Sequence, residues 1–281
     1  MDLTNSVIII NKPCGQTSHE ITTAVKKILG VSRSGHAGTL DPNVSGVLPV
    51  ALGRATKMIQ YIAGKEKTYV CLMKFKELMG KKEIHDLFKK YKGTITQTPP
   101  KISAVRKVAR QRTIHELKIL EIRGRFVLFK ATVDAGTYIR TLCDDMGKEK
   151  GGARMEELRR TDVGGINERD AHTMQDLIDA VWLWKNKKND GELRKMLRKP
   201  EEFIQFKQVV VRENAINELK NGAQLAVPGI LKIDGGIEKG EKVALYSEKG
   251  VFIGIGIALM DDNEMATRRN GMAVKTERIH I

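Results

Sequence analysis

A single carboxylate, Asp41, stands in the stretch GHAGTLDPNVSGVLP, residues 35–49, of a chain that carries 49 Lys and Arg. An Asp before Pro commonly opens a turn, and the stretch taken alone is consistent with no more than that. Its surroundings suit a second use. Gly35, Gly38 and Gly46 permit close approach of a ligand's backbone, and the segment from Ser45 to Pro49 returns at once to apolar sequence. A carboxylate on a loop anchored by core at both ends is the fixed nucleophile that covalent catalysis needs.

Polyanion chemistry is the natural partner for such a site here. The 281 residues hold 34 Asp and Glu, for a net charge of +15, and a field of that sign attracts nucleic acid and speeds its association. The segment KISAVRKVARQR brings Lys101, Arg106, Lys107, Arg110 and Arg112 within a dozen residues, a spacing that could hold RNA phosphates or form a solvated basic loop. Cys14, Cys71 and Cys143 lie far apart, with no CxxC pair and no clustered His, so neither a disulfide framework nor a metal site is expected, and no cofactor either. A reducing compartment fits. No apolar run approaches the roughly 20 residues of a membrane span, and MDLTNSVIII lacks a basic leader, which gives a cytoplasmic expectation.

The elements that must position these residues read as a mixture of antiparallel strands and helices, an α+β architecture. SVIIINKP predicts a strand from Ser6 to Ile10. TSHEITTAVKKILG predicts a helix with Thr17 and Glu20 as a capping box and Gly30 as its stop. GRATKMIQYIAG reads as helix, KTYVCLMKF alternates as a strand, and KKEIHDLFKKYKG is an amphipathic helix. LKILEIRG and RFVLFKATVDAG form a hairpin about a Gly-Arg turn, and TYIRTLCDDMGKE, ARMEELRR and TMQDLIDAVWLWKN carry helical patterns. After the polar stretch KKNDGELRKMLRKP a domain boundary is expected near Phe206. Short strands with frequent Gly follow, in the pattern of a small β-barrel with one helix at RENAINELKNG. Residues 207–281 hold 11 Lys and Arg against 10 Asp and Glu, so residues 1–206 carry nearly all the excess positive charge.

The loop GHAGTLDPNVSGVLPVALGRATK resembles the signature of the TruB and dyskerin family of pseudouridine synthases. Five further stretches match that family in order over roughly residues 7–165: NKPCGQTSHEI, KTYV, TPPKISAV, GTYIRTLCDDMG and LRRT. LKNGAQLAVPGILKIDGGIEKGEKVAL is similar to the start of the PUA domain of the dyskerin branch, and GAQLAVPGI to the archaeal H/ACA-type enzymes. The resemblance implies a pseudouridine synthase catalytic domain with a mixed, mainly antiparallel sheet over 1–206 and a PUA RNA-binding domain over 207–281.

It also implies roles. Asp41 would be the nucleophile that attacks the target uridine, so that the glycosidic bond breaks, the base turns and C5 bonds to C1′. Tyr69 would stack on the flipped base, which needs a platform to offset its lost stacking. Arg140 would pair with Asp41, Tyr138 and Leu158 would line the base pocket, and His36 would sit near the flipped nucleotide. The implied partners are an H/ACA guide RNA, a target rRNA or tRNA, and small accessory proteins. The alternatives are a stand-alone enzyme acting on the tRNA T-loop and a catalytically silent RNA-binding scaffold.

Overall fold

The computed structural model describes residues 2–63, 66–99 and 106–280, and the chain divides into two compact units, Met1–Pro200 and Glu201–Ile281. Strand β1 (Asn5–Lys12) opens the first unit. It is followed by helix α1 (Ser18–Leu29), a short β2 (Ser34–His36), β3 (Val44–Gly53) and a 3₁₀ turn that runs into α2 (Ile59–Ala63). Next come β4 (Lys67–Phe75), α3 (Lys81–Tyr91), β5 (Gly93–Gln97) and the hairpin β6 (Arg110–Arg123) and β7 (Phe126–Val133). Helix α4 (Ile139–Lys148), β8 (Ala153–Val163), β9 (Ile166–Asn167), α5 (Met174–Lys187), α6 (Gly191–Met196) and β10 (Leu197–Arg198) complete it.

The strands form one ten-stranded sheet in the order β10-β1-β3-β8-β4-β7-β6-β5, with β2 beside β3 and β9 beside β8. Every pairing is antiparallel except β3 with β8. Helix α1 begins as its sequence predicts. Thr17 and Glu20 cap each other's backbone N–H groups, and Gly30 ends the helix in the left-handed region at φ 69°. Its apolar face, Ile21, Val25 and Leu29, packs with Ile8, Ile10, Leu48 and Leu52 into one core. A second core, on β4, β7, α3 and α4, contains Tyr69, Cys71, Phe129, Leu142 and Leu158.

One expected element is overturned. ARMEELRR is not helical but lies in β8, between β3 and β4 in the sheet. Its Glu and Arg suit a helix in isolation, and two register shifts against β4 break the strict alternation that marks a strand. Pairing on both edges of the strand outweighs local propensity.

The second unit contains β11 (Lys207–Val211), α7 (Glu213–Lys220), β12 (Leu225–Ala226), β13 (Ile230–Ile233), β14 (Lys242–Ser247), β15 (Phe252–Ala258), α8 (Asp262–Thr267) and β16 (Met272–Ile279). Its six strands are ordered β12-β16-β15-β14-β11-β13 around a core of Val209, Leu219, Leu245, Ile253 and Val274. Gly254 and Gly256 on β15 lie where a Cβ would come within 2.2 Å of the Arg278 carbonyl and 2.3 Å of Val274 on the paired strand β16, so only Gly allows the two strands to lie this close. Among the described residues no helix is long and apolar enough to cross a membrane.

Candidate active site

Asp41 occupies the loop between β2 and β3, and the backbone on both sides of it is tied down. The Val44 N–H donates to the Asp41 carbonyl (3.0 Å), which closes the turn that Asp-Pro begins. The Ser18 hydroxyl donates to the Leu40 carbonyl (3.0 Å) and accepts from the Leu40 N–H (2.9 Å). Lys12, fully buried at the end of β1, donates to the carbonyls of Pro13 (2.7 Å), Gln16 (2.6 Å) and Pro42 (3.1 Å). Those three bonds use all three ammonium protons. Burial pushes the Lys12 ammonium below the usual lysine range, while the Asp41 charge acts in the opposite direction. Leu40 is buried, whereas the Asp41 side chain beside it is 55% exposed. The turn and the presented carboxylate, rival readings of the sequence, are one arrangement.

Arg140 reaches Asp41 from the first turn of α4, 99 residues along the chain, where its Nη2 donates to Asp41 Oδ2. The helix is aimed by Gln97, whose buried side-chain amide donates to the Tyr138 carbonyl (3.1 Å) and accepts from the Tyr138 N–H (3.0 Å). The amide thus pairs with the backbone as a neighbouring strand would. On the core side of the helix, the Cys143 and Cys71 thiols meet at 3.8 Å and join α4 to β4.

Tyr69 lies on the inward face of β4, only 7% exposed, in the same core as Leu40, Val44, Ile139 and Leu158. Burial raises its phenol above the usual range, and Arg160 opposes that shift. Leu158 pairs with Val44 on one edge of β8 and with Cys71 on the other. Tyr138 is half-buried at the start of α4. His36 is half-buried on β2, and burial, reinforced by Arg160 and His19, pulls its imidazole below the usual histidine range.

Beneath the loop lies a group that the sequence reading passed over. Arg160 on β8 is fully buried, and Lys67 on β4 is 6% exposed. Burial first, and Arg160 second, bring the Lys67 ammonium down to about 8. Two glycines of the loop, Gly46 and Gly38, make room for this group, and Gly35 makes room for Ile59, a use that the sequence did not reveal. A Cβ on Gly46 (φ 108°) would sit 2.1 Å from the Arg160 carbonyl oxygen. One on Gly38 (φ 86°) would come within 3.2 Å of Arg160 Nη1, and one on Gly35 within 2.6 Å of Ile59. At each of these glycines protein fills the position that a Cβ would take. Gln97 and Lys12 were also missed, although Lys12 carries a legible signal, a cation one residue beyond a run of four apolar residues.

The basic segment stands apart. Arg106, Lys107 and Arg110 are exposed, at and just before the start of β6. Arg112 is half-buried beside Gly136, and Lys101 lies outside the described residues.

Models of known families place these features. Residues 26–82 and 76–139 match the N-terminal domain of TruB family pseudouridylate synthases. Residues 140–205 match the tRNA pseudouridylate synthase B C-terminal domain, and residues 207–280 match the PUA domain. The chain belongs to the TruB family of pseudouridine synthases. This TruB-family enzyme is 43% identical over 280 residues to a probable tRNA pseudouridine synthase B of Nanoarchaeum equitans, covering 98% of this chain and 80% of that protein. It is 44% identical over 277 residues to the protein of the same name from Methanocaldococcus jannaschii, covering 98% and 82%. Among solved structures it matches a chain of a Cbf5-Nop10-Gar1 complex with a TM-score of 0.92 and 40% identity, over 99% of this chain and 86% of that one. A chain of an H/ACA RNP bound to a substrate RNA containing 2′-deoxyuridine matches with a TM-score of 0.91 and 38% identity, over 99% and 86%.

Proposed function

We propose that this pseudouridine synthase is the catalytic subunit of an RNA-guided particle, in which a guide RNA selects the uridine and Asp41 is the nucleophile. The observation that carries the chemical part is the Asp41–Arg140 contact on a backbone-pinned turn. One carboxylate oxygen is engaged by the guanidinium, and the Asp41 side chain as a whole stays more than half exposed, open to an arriving flipped base. Asp41 attacks the target uridine, the bond between N1 and C1′ breaks, the base turns, and C5 bonds to C1′. The C5 hydrogen leaves to solvent as a proton, and N1 gains one. Substrate and product are isomers, so the overall change is redox-neutral.

In this reading the Tyr69 ring backs the base, Tyr138 and Leu158 wall the pocket, and His36 meets the nucleotide as a neutral imidazole. Lys101, Arg106, Lys107, Arg110 and Arg112 hold phosphates, an attraction that weakens as salt rises. The guided reading draws support from the solved relatives, which are assemblies with Nop10 and Gar1 or with substrate RNA, and from the PUA domain. Accessory proteins, an rRNA or tRNA target and a cytoplasmic location belong to the same proposal. Unaided modification of tRNA is the second reading, favoured by the names of the curated relatives.

Uridine tritiated at C5 separates them, because formation of the C5–C1′ bond releases the label. Release only with guide RNA and partner proteins is the expected result. Release from a bare tRNA transcript by the protein alone would favour the second reading, and none from any assembled reaction would leave a scaffold. Asp41→Asn is expected to hold RNA within a few-fold of the parent and to release tritium only at background; retained release would remove Asp41 as nucleophile.

A further inference from the structure

Arg160 is the largest fully buried side chain among the described residues, and its charge has no acidic partner. Among the described residues the Tyr69 phenol favours its charge and no carboxylate does, while Lys67 and His36 face it as groups whose own protonation it disfavours. A buried cation without a counterion is expensive, and an apolar residue of similar volume would suit a merely structural role at less cost. The place of Arg160 in the sheet is central. Its backbone pairs with Gly46 of β3 on one side and with Tyr69 of β4 on the other, so it lies between the strand that follows the Asp41 loop and the strand that carries the aromatic.

The guanidinium reaches the chain on both sides of Asp41. Nε donates to the Val47 carbonyl at 2.9 Å, and Nη2 donates to the Gly38 carbonyl, also at 2.9 Å, three residues before Asp41. Nη1 is buried with no hydrogen-bond partner among the described residues, under Gly38, whose lack of a Cβ leaves it room. The Tyr69 phenol acts on this guanidinium through charge and through a longer hydrogen bond, and the Asp41 charge acts on the same phenol. Hydrogen bonds in an active site are often long before substrate arrives and tighten in the complex.

We propose that Arg160 is a positioning residue for the isomerisation: one arm of its guanidinium holds the Gly38 carbonyl ahead of Asp41, a second holds the Val47 carbonyl on the strand that follows it, and the third is reserved for the Tyr69 hydroxyl. A donor on the phenol oxygen turns the phenolic proton away from β8, toward the carboxylate and the incoming base. One buried cation thereby sets the nucleophile and the aromatic relative to each other. The inference rests on the roles proposed above for Asp41 and Tyr69.

The test compares the parent, Arg160→Met, Arg160→Lys, Tyr69→Phe and the Arg160→Met/Tyr69→Phe double variant, each assembled with guide RNA and partner proteins. It reads single-turnover tritium release at saturating enzyme, RNA affinity and the thermal midpoint. Arg160→Met is expected to slow release about 100-fold with RNA affinity within about threefold of the parent, and Arg160→Lys to recover part of that loss. Tyr69→Phe, which keeps the ring, is expected to slow release about tenfold or more, whereas a platform role alone predicts no change. The double variant should be no slower than the worse single within a few-fold, because both act through one contact.

A folded Arg160→Met variant that releases tritium at the parent's rate would overturn the inference, as would losses that multiply in the double variant. If Arg160→Met does not fold, Tyr69→Phe decides: full activity without the hydroxyl leaves the third arm nothing to position and sinks the idea. An inactive parent assembly would instead remove the proposed function, and an active Asp41→Asn variant would remove the nucleophile.

Discussion

Lys12 and Arg106 carry the same charge, and the molecule uses them in opposite ways. Lys12 is wholly buried and spends its three donors on backbone carbonyls around the Asp41 turn. Arg106 is exposed at the approach to β6, together with Lys107 and Arg110. A net charge of +15 invites the reading that every cation is there to attract RNA. The comparison teaches otherwise. Buried cations, Lys12 and Arg160 among them, act as multi-armed donors that shape the backbone, and their charge is a cost. Exposed cations act at a distance through their field and leave the fold alone.

Several measurements would break or sharpen that contrast. Lys12→Met leaves three carbonyls without their donor and should lower unfolding stability by about 3 kcal/mol in a urea titration, with loss of tritium release. An unchanged midpoint would mean that the carbonyls find other partners. Gly46→Ala forces a Cβ against the β8 backbone in the left-handed region and should destabilise by about 2 kcal/mol or more. The pair Arg106→Gln and Arg110→Gln should do the reverse of both. It should leave the thermal midpoint within about a degree. It should also make the log–log dependence of RNA affinity on salt shallower by about 1.4, for two lost phosphate contacts. A changed midpoint there would place those arginines with the structural cations.

A pH-dependent effect concerns Lys67, whose ammonium burial brings down to about 8 from its ordinary 10.5. Between those values the unfolded chain holds a proton that the folded chain has released. Stability contributed through this group therefore rises with pH across that window and is flat below it. The parent should gain a few degrees between pH 8 and 10.5 relative to Lys67→Met, followed by calorimetry. A difference that falls with pH would contradict the burial of its charge.

Legibility in the sequence followed the range of the interactions. Thr17, Glu20 and Gly30 interact within a few residues, so α1 and its caps could be read directly, as could the β6–β7 hairpin about Gly124 and Arg125. Asp41 stood out because a lone carboxylate between glycines is rare in so basic a chain. Its contact with Arg140, 99 residues away, came from the resemblance of motifs and not from any periodicity. The mistaken helix at ARMEELRR hid the most informative residue of all. Once residues 153–160 are placed on a helix, Arg160 becomes one more surface cation. Only the pairing of β8 with β3 and β4 reveals it as buried. The glycines misled for a related reason: a missing Cβ says that something comes close, and the sequence does not say what.

That parallel pairing of β3 with β8 also orders events during synthesis. The strands β1 and β3 on one side and β4 to β7 on the other are joined in the sheet only through β8. Everything up to Val133 can emerge from the ribosome, and each half can pair locally, while the floor under Asp41 is still absent. At roughly 5–20 residues per second, the half-built sheet waits a few seconds between β7 and β8 with two open edges. The chain is therefore most exposed to mispairing and to rescue by chaperones just before Arg160 emerges from the ribosome, and a ribosome stalled at that length would hold a nascent chain with its Asp41 turn but no strand beneath it.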